Sequence, residues 1–210
     1  MQILLIAATS KEVEPYITTH TGTDVLITGV GVPASIYHLQ KRLQQLDYDL
    51  VIQAGIGGSL TDEIYPGQVV LVKQDLFGDL GMEEKEDFKT IFEEGFADED
   101  EFPFEKGWLV NPHTIIQTIT LPVVKAVTIN KVTDNALQKQ QLINKFSPQV
   151  ESMEGAALHY VCLQEKIVFL QLRAISNYVG ERDKTKWKMK EAIDNLNIEL
   201  ERLFNQLNHR

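Results

Sequence analysis

The chain has 210 residues and a net charge of −10, from 30 acidic and 20 basic side chains. Binding along a nucleic-acid backbone requires clustered lysine and arginine, so this charge balance argues against a nucleic-acid partner. No apolar run approaches the roughly 20 residues of a membrane-spanning helix, so we expect no membrane partner either.

The start of the chain and its single cysteine bear on the cellular compartment. The chain begins at once with a strand-like apolar run, Met1–Ile6, and we recognise no signal peptide. Cys162 has no cysteine partner, so we expect no internal disulfide and interpret it as a small core residue. These features predict a cytoplasmic protein, and the length favours a single domain over residues 1–210.

Continuous β-rich runs alternate with amphipathic stretches along the chain. Unbroken apolar runs are typical of strands covered on both faces. The alternation predicts an α/β fold, a three-layer α/β/α sandwich with a mostly parallel twisted central sheet. In such sheets ligands bind beyond the carboxyl ends of the strands. The predicted strands are Gln2–Ala7, Asp24–Thr28, Asp49–Ala54, Gln68–Lys73, Val123–Asn130 and Ile167–Ala174, and the predicted helices are Ala34–Leu46, Ala136–Phe146, Gly155–Gln164 and Trp187–Leu207.

The segment Gly78–Lys106 interrupts this alternation. It contains two acidic runs, Met82–Asp87 and Asp98–Glu101, together with several phenylalanines. Because disordered segments are poor in aromatic residues, we interpret it as a loop excursion that folds over another surface. That surface is either the mouth of the active site or a neighbouring subunit.

Glu12 lies just after the first predicted strand, in the run Thr9-Ser10-Lys11-Glu12. Thr9 or Ser10 can cap the following helix, and an acidic residue in its first turn interacts favourably with the helix dipole. A carboxylate beyond a strand end is equally a candidate catalytic group. The residue types alone leave both interpretations open.

Two glycine-rich turns follow the second and third predicted strands. The first, Gly29-x-Gly31-x-x-Ala34, has the spacing of a dinucleotide fingerprint, but no acid lies at the usual distance to bind the ribose. The second, Gly55-x-Gly57-Gly58, allows a ligand to approach the backbone closely, with a plain tight turn as the alternative. We predict no cofactor.

Two carboxylates three residues apart, Glu151 and Glu154, lie between a short strand and a helix. Glu154 opens an otherwise apolar helix, where it either interacts with the helix dipole or holds two vicinal hydroxyls of a ribose. Arg173 lies within an apolar strand and must be paired when buried, and Glu151 is the partner that we expect.

The order and spacing of these pieces resemble the purine nucleosidase and nucleoside phosphorylase superfamily over nearly the whole chain. The resemblance rests on Glu12, both glycine turns, and the motifs E-S-M-E-G-A at 151–156 and R-A-I-S-N at 173–177. Within the superfamily, the variants F-G-D-L-G at 77–81 and S-N-Y-V at 176–179 resemble futalosine hydrolases. Those enzymes release a 6-oxopurine from futalosine in an alternative menaquinone pathway.

The resemblance implies a nucleoside phosphorylase-like fold and catalysis without a metal or cofactor. Glu12 matches the general base that activates the attacking water. Glu154 matches the acid that holds the ribose hydroxyls, with Met153 packed against the sugar. The substrate is then a small nucleoside. Superfamily members commonly pair so that one subunit's loop closes the neighbouring pocket, so we expect a homodimer or a higher homo-oligomer.

The remaining matching residues shape the site or read the base. The backbone at Gly57 and Gly58 matches the floor of the pocket, and Glu151 and Arg173 match structural supports of the carboxylates. Asn177 matches the residue that meets the purine at N7 and at its 6-substituent.

Asn177 departs from methylthioadenosine/S-adenosylhomocysteine nucleosidases, which have aspartate at this position. An asparagine amide can donate to O6 of a 6-oxopurine while its carbonyl accepts from a protonated N7. A mismatched base would leave a buried polar group unsatisfied, at a cost of roughly 1–3 kcal/mol. Asn177 therefore indicates a 6-oxopurine such as hypoxanthine, although an amide cannot itself supply the N7 proton.

A phosphorylase requires a site for a phosphate dianion, which is rich in arginine in this superfamily. None of the arginines follows the first predicted strand or immediately precedes Gly55, where phosphorylases have theirs. Water is therefore the expected nucleophile. The arginines are Arg42, Arg173, Arg182, Arg202 and Arg210.

Three alternatives remain, namely a methylthioadenosine/S-adenosylhomocysteine nucleosidase, a purine nucleoside phosphorylase and a non-catalytic nucleoside sensor. The histidines are scattered and form no H-x-x-x-H pair, so no metal site is predicted. Futalosine carries a carboxylate on its 5′ side, and the sequence does not identify the residue that recognises it.

Overall fold

The computed structural model describes residues 1–85, 87–181 and 183–208. Ten strands and five α-helices lie within these ranges, and none of these helices is long and apolar enough to cross a membrane. The strands are β1 (Ile3–Ala7), β2 (Asp24–Ile27), β3 (Leu50–Ser59), β4 (Val69–Asp75), β5 (Gly81–Glu84), β6 (Asp87–Thr90), β7 (Leu109–Val110), β8 (Val123–Thr128), β9 (Val150–Ser152) and β10 (Val168–Tyr178). The helices are α1 (Ser10–Thr19), α2 (Val32–Leu43), α3 (Ala136–Phe146), α4 (Gly155–Gln164) and α5 (Met189–Asn208).

An eight-stranded sheet in the order β10-β4-β8-β9-β3-β1-β2, with β7 on β4, forms the centre of the fold. Because β10 also pairs with β3, the strands β3, β10, β4, β8 and β9 close into a ring. The predicted α/β class is correct, but the sheet is mixed rather than clearly mostly parallel. The reason is that the chain reverses between β3 and β4 without the crossover helix that parallel strands require.

Helices pack on both faces of the sheet because successive side chains of each strand point to opposite faces. On β1, Leu5 and Ala7 belong to a core cluster with residues of α1 and α5. Leu4 and Ile6 belong to a second cluster, with residues of α2 and α4. Cys162 is fully buried in this second cluster, which confirms its interpretation as a small core residue.

Two central strands extend further than the apolar runs predicted. β3 continues through the glycine-rich run to Ser59, and β10 continues to Tyr178. The two strands pair in parallel along this extension, with Arg173 opposite Gly55 and Asn177 opposite Gly58. The run that we expected to be a loop is therefore a strand, and backbone pairing fixes its register.

The segment Gly78–Lys106 contains the hairpin of β5 and β6 and then a series of turns, with Glu86 lying outside the described residues. Phe104 contacts both Phe92 and Tyr160 of α4, and Lys145 of α3 forms an ion pair with Glu93. The described part of the segment therefore packs on α3 and α4.

Candidate active site

A cavity of about 350 Å³ lies where β1, β3, β9 and β10 end and where α1 and α4 begin. All the predicted catalytic and substrate-binding residues line it, as does Glu151. Arg173 lies beneath the cavity and is fully buried. The lining residues are Ala8, Thr9, Lys11, Glu12, Val30, Ile56, Gly57, Gly58, Val132, Thr133, Glu151, Ser152, Met153, Glu154, Ser176, Asn177, Val179, Trp187, Met189 and Ile193.

Two backbone amides hold the carboxylate of Glu12 in the wall of the cavity. Thr9 is the N-cap of α1, and its N–H donates to Glu12 Oε2 at 2.8 Å. The N–H of Ile56 on β3 donates to Oε1 at 3.1 Å. The helix-capping and the catalytic interpretations of Glu12 are thus compatible. The hydrogen bond from Thr9 that caps α1 also holds this buried carboxylate against the cavity.

Glu154 is the N-cap residue of α4 and also lines the cavity. Its Oε1 accepts from the N–H of Gly31 at 3.0 Å, and its Oε2 lies 3.8 Å from Arg173 Nη1. Burial raises the pKa of this carboxyl, while Arg173 and the Gly31 amide act in the opposite direction. The G-x-G-x-x-A turn therefore supplies a donor for Glu154.

Arg173 pairs with Glu154 and not with Glu151, which corrects the expected pairing. Its guanidinium extends across Gly55, where a Cβ atom would lie 2.3 Å from Nη1. Its Nη2 donates to Gln53 Oε1 at 2.8 Å. Register explains the difference, since Arg173 lies opposite Gly55 while Glu151 pairs further along β3, opposite Gly58.

Glu151 contacts the loop after β8 instead. The N–H of Thr133 donates to its Oε1 at 3.2 Å, and its Oε2 is buried without a hydrogen-bond partner among the described residues. Burial raises the pKa of this carboxyl. Glu151 therefore lines the cavity without a contact to either of the other two acids.

Glycine at positions 57 and 58 reflects close packing. A Cβ atom on Gly57 would lie 2.9 Å from the carbonyl oxygen of Glu151, and one on Gly58 would lie 2.8 Å from a methyl group of Val179. Both residues line the cavity, so backbone atoms form this part of its wall.

The amide of Asn177 is oriented by its neighbours on β10. The hydroxyl of Ser176 donates to Oδ1 at 2.7 Å, and Nδ2 donates to the carbonyl of Tyr178 at 2.9 Å. An amide oxygen has two lone pairs and an amide nitrogen has two hydrogens. One acceptor site and one donor site therefore remain available toward the cavity.

Sequence reasoning missed the apolar wall and the charged rim of the cavity. Trp187 and, four residues apart on α5, Met189 and Ile193 line one side. Their helical spacing was visible, but it is equally typical of core residues. Among the described lining residues Lys11 is the sole cation, and it is exposed.

The other two described arginines, Arg42 and Arg202, lie away from the cavity. Arg42 pairs with Asp24 on β2, and Arg202 pairs with Glu199 on the surface of α5. Neither lines the cavity. Arg182 and Arg210, included in the sequence argument against phosphorolysis, lie outside the described residues.

Comparison with known proteins identifies the family. A family model of the phosphorylase superfamily matches residues 6–208. The chain belongs to this superfamily. It is 29% identical over 196 residues to a futalosine hydrolase from Streptomyces coelicolor, a match that covers 85% of this chain and 78% of that protein.

Solved structures show the same fold at lower sequence identity. A 5′-methylthioadenosine/S-adenosylhomocysteine nucleosidase from Helicobacter pylori superposes with a TM-score of 0.81 at 14% identity, covering 97% of both chains. A futalosine hydrolase from Helicobacter pylori superposes with a TM-score of 0.79 at 15% identity, again covering 97% of both. The two scores are too similar to distinguish one substrate from the other.

Proposed function

We propose that the chain hydrolyses the N-ribosidic bond of futalosine and releases hypoxanthine, within an alternative pathway of menaquinone biosynthesis. The observation that carries this proposal is that Glu12, Glu154 and Asn177, from three separate elements, line one cavity. The relatives that support futalosine as the substrate are themselves futalosine hydrolases.

Glu12 and Glu154 are the groups that we propose for the reaction at the sugar. As the ribosidic bond lengthens, the sugar acquires positive charge, and the two buried carboxylates that line the cavity stabilise it electrostatically. Glu154 holds the ribose hydroxyls, with Met153 against the sugar. Glu12 takes a proton from the water that attacks C1′. Its Oε2 accepts from both the N–H and the hydroxyl of Thr9, whereas its Oε1 accepts from the Ile56 N–H and keeps a lone pair for this proton.

Asn177 is the residue that we propose for reading the base. Its free N–H donates to O6 of hypoxanthine, and its free lone pair accepts from N7–H. The hydrogen bond from Ser176 supports this assignment because it orients the amide before the base arrives. The proton on N7 comes from solvent in this scheme, since an amide has none to give.

Water is the proposed nucleophile. A phosphate dianion beside Glu12 would meet a carboxylate with no arginine facing it among the described lining residues. Two negative charges close together repel each other, so phosphate would bind weakly beside Glu12.

Lys11 is the cation that we propose for the 5′ carboxylate of futalosine. It lies at the first turn of α1, on the cavity, and its amine has no ion pair among the described residues. Lys11→Ala is expected to raise KM for futalosine several-fold while leaving inosine, which lacks the carboxylate, unaffected. Lys41→Ala, an exposed lysine on α2, is the matched control for the loss of one charge. Equal effects on both substrates would remove Lys11 from this role.

The deciding experiment is chromatography of the products from futalosine, inosine and methylthioadenosine, each with and without phosphate. The proposal expects hypoxanthine and free sugar from futalosine at a rate independent of phosphate. Preferential cleavage of methylthioadenosine would identify the methylthioadenosine nucleosidase instead. A ribose 1-phosphate product that forms only with phosphate would identify a phosphorylase, and binding without turnover would identify a sensor.

A further inference from the structure

Asp75, at the end of β4, is a fully buried carboxylate that does not line the cavity. The hydroxyl of Thr128 donates to its Oδ1 at 3.0 Å, and the amide of Gln171 donates to its Oδ2 at 3.1 Å. The N–H of Leu76 also donates to Oδ1, at 2.8 Å. Burying a charged group is costly, so such a complete set of partners indicates a specific role.

The partners of Asp75 contact the first turn of α4. The N–H of Ala156 donates to the Thr128 hydroxyl at 2.8 Å, so this hydroxyl links the turn to Asp75. Gly155 rests directly on the pair of Asp75 and Gln171, because a Cβ atom there would lie 2.1 Å from both Asp75 Oδ2 and Gln171 Nε2. Glu154 is the residue immediately before this turn.

The other contacts at this turn hold the side chain of Glu154 or are longer contacts to the backbone, such as the hydrogen bond from the Gly155 N–H to the Ser152 hydroxyl at 3.3 Å. Gly31 and Arg173 contact the carboxylate of Glu154, and Gln53 Nε2 lies 3.5 Å from its carbonyl oxygen. The hydrogen bonds through Thr128 fix the backbone on the other side of the residue. A shift of the turn would carry the carboxylate away from the sugar.

We propose that Asp75, acting through Thr128, is a positioning residue for Glu154. Asp75 does not contact the substrate or line the cavity. It holds the first turn of α4 in the position in which the Glu154 carboxylate contacts the ribose. The expected effect on catalysis rests on the proposed function, whereas the expected effect on the first turn of α4 does not.

The kinetic test compares Thr128→Val, which removes the hydroxyl, with Thr128→Ser, which keeps it. Thr128→Val and Asp75→Ala, which removes the oxygen that accepts from Thr128, are each expected to lower kcat/KM by about 10-fold, the scale of one lost buried hydrogen bond, with KM rising because ribose binding weakens. Thr128→Ser is expected to stay close to wild type. A Thr128→Val enzyme with wild-type kinetics would overturn the proposal.

A double-mutant cycle separates positioning from a general loss of stability. If Asp75 acts through Glu154, then Asp75→Ala should have little further effect in a Glu154→Gln background. Losses that multiply fully in the double variant would mean that Asp75 acts independently of Glu154, which overturns the proposal.

A measurement without substrate keeps the test valid if futalosine is not the substrate. Hydrogen exchange of the Ala156 amide, followed by NMR in folded protein, should accelerate in Thr128→Val and Asp75→Ala but not in Thr128→Ser. Unchanged exchange in both variants would overturn the inference. A wild-type enzyme that cleaves no nucleoside would overturn only the proposed function.

Discussion

At the residue scale, Glu12 is held by two backbone amides from different parts of the chain, that of Thr9, the N-cap of α1, and that of Ile56 on β3. Glu12→Gln keeps the volume and one accepting oxygen but removes the base, so we predict a loss of activity of about 100-fold or more with a folded protein. Glu14→Gln, an exposed change on the same helix, is the control. Initial rates and thermal unfolding of both variants test this, and near-normal turnover by Glu12→Gln would exclude it as the base.

Asn177 offers the sharpest test of specificity. Asn177→Asp replaces the amide donor by an oxygen, which repels O6 when ionised and can donate to N7 when protonated. We expect the preference for a 6-oxopurine over the 6-amino analogue to fall by about 10-fold or more, because one buried hydrogen bond becomes mismatched. Measuring kcat/KM for inosine and adenosine on both proteins checks this. An unchanged ratio would mean that Asn177 does not read the base.

At the element scale, the turn between β2 and α2 connects two parts of the site. Gly31 has φ +90° and ψ 163°, a conformation almost restricted to glycine, and its N–H donates to Glu154. Gly31→Ala should cost about 1–3 kcal/mol of unfolding free energy and raise KM, because the strained turn moves this donor. Gly22→Ala is the control, since a Cβ there meets nothing within 4 Å. Urea denaturation and kinetics measure both effects, and a Gly31→Ala protein as stable as the control would refute the strain.

The pairing of β3 with β10 places Arg173 and Asn177 at the site. The register of these strands sets Gly55 opposite Arg173 and Gly58 opposite Asn177. Glycine on β3 leaves the space that the guanidinium of Arg173 occupies on its way to Glu154. This pair of strands therefore supplies Asn177 and Arg173, while Glu12 and Glu154 come from the segments that follow β1 and β9.

At the scale of the whole molecule, the described part of segment 78–106 lines no part of the cavity and exposes large apolar side chains. Such groups are costly to leave in water when they cluster, so we predict a homodimer or a larger assembly with two-fold contacts. Light scattering should give a multiple of the 23.8 kDa chain mass, and a monomer at micromolar concentration would contradict this. The most exposed residues are Phe96 and Phe102, with Leu80 and Met82 on the same segment.

The dependence of the unfolding free energy on pH should reveal the titration of Asp75. Burial raises its pKa from 3.8 to about 6, against the pull of the neighbouring Arg173. The folded state therefore binds more protons than the unfolded chain between these values, so this group makes the protein less stable as pH rises through the window. Burial lowers the pKa of His159 to about 4, which gives the opposite slope but is common to wild type and variant.

Asp75→Asn removes the contribution of this one group. As the pH rises from 4 to 7, the unfolding free energy of the variant should increase by up to about 3 kcal/mol relative to that of wild type. Any cost of a lost hydrogen bond shifts this difference by the same amount at every pH. Urea denaturation of both proteins at several pH values measures the difference. Parallel curves would show that Asp75 titrates normally in the folded state.

The sequence by itself determined the superfamily, most elements of the central sheet and several of the residues that line the cavity. The stretches predicted as helices at 136–146 and 155–164 are α3 and α4 with the same bounds, although α4 is buried on nearly all sides and α3 has no fully buried residue. Carboxylates and glycines after strand ends predicted which residues meet, because the ends of neighbouring strands share one edge of the sheet.

Only the tertiary structure decided which groups pair. Arg173 joins Glu154 rather than Glu151, Gly31 donates to Glu154, and Asp75 supports the turn that carries it. The tertiary structure likewise decided that the sheet is mixed and that β3 extends through its glycines. These features depend on strand register and on partners far apart in the chain, and a one-residue shift in register would change every pair while leaving the local pattern of the sequence intact.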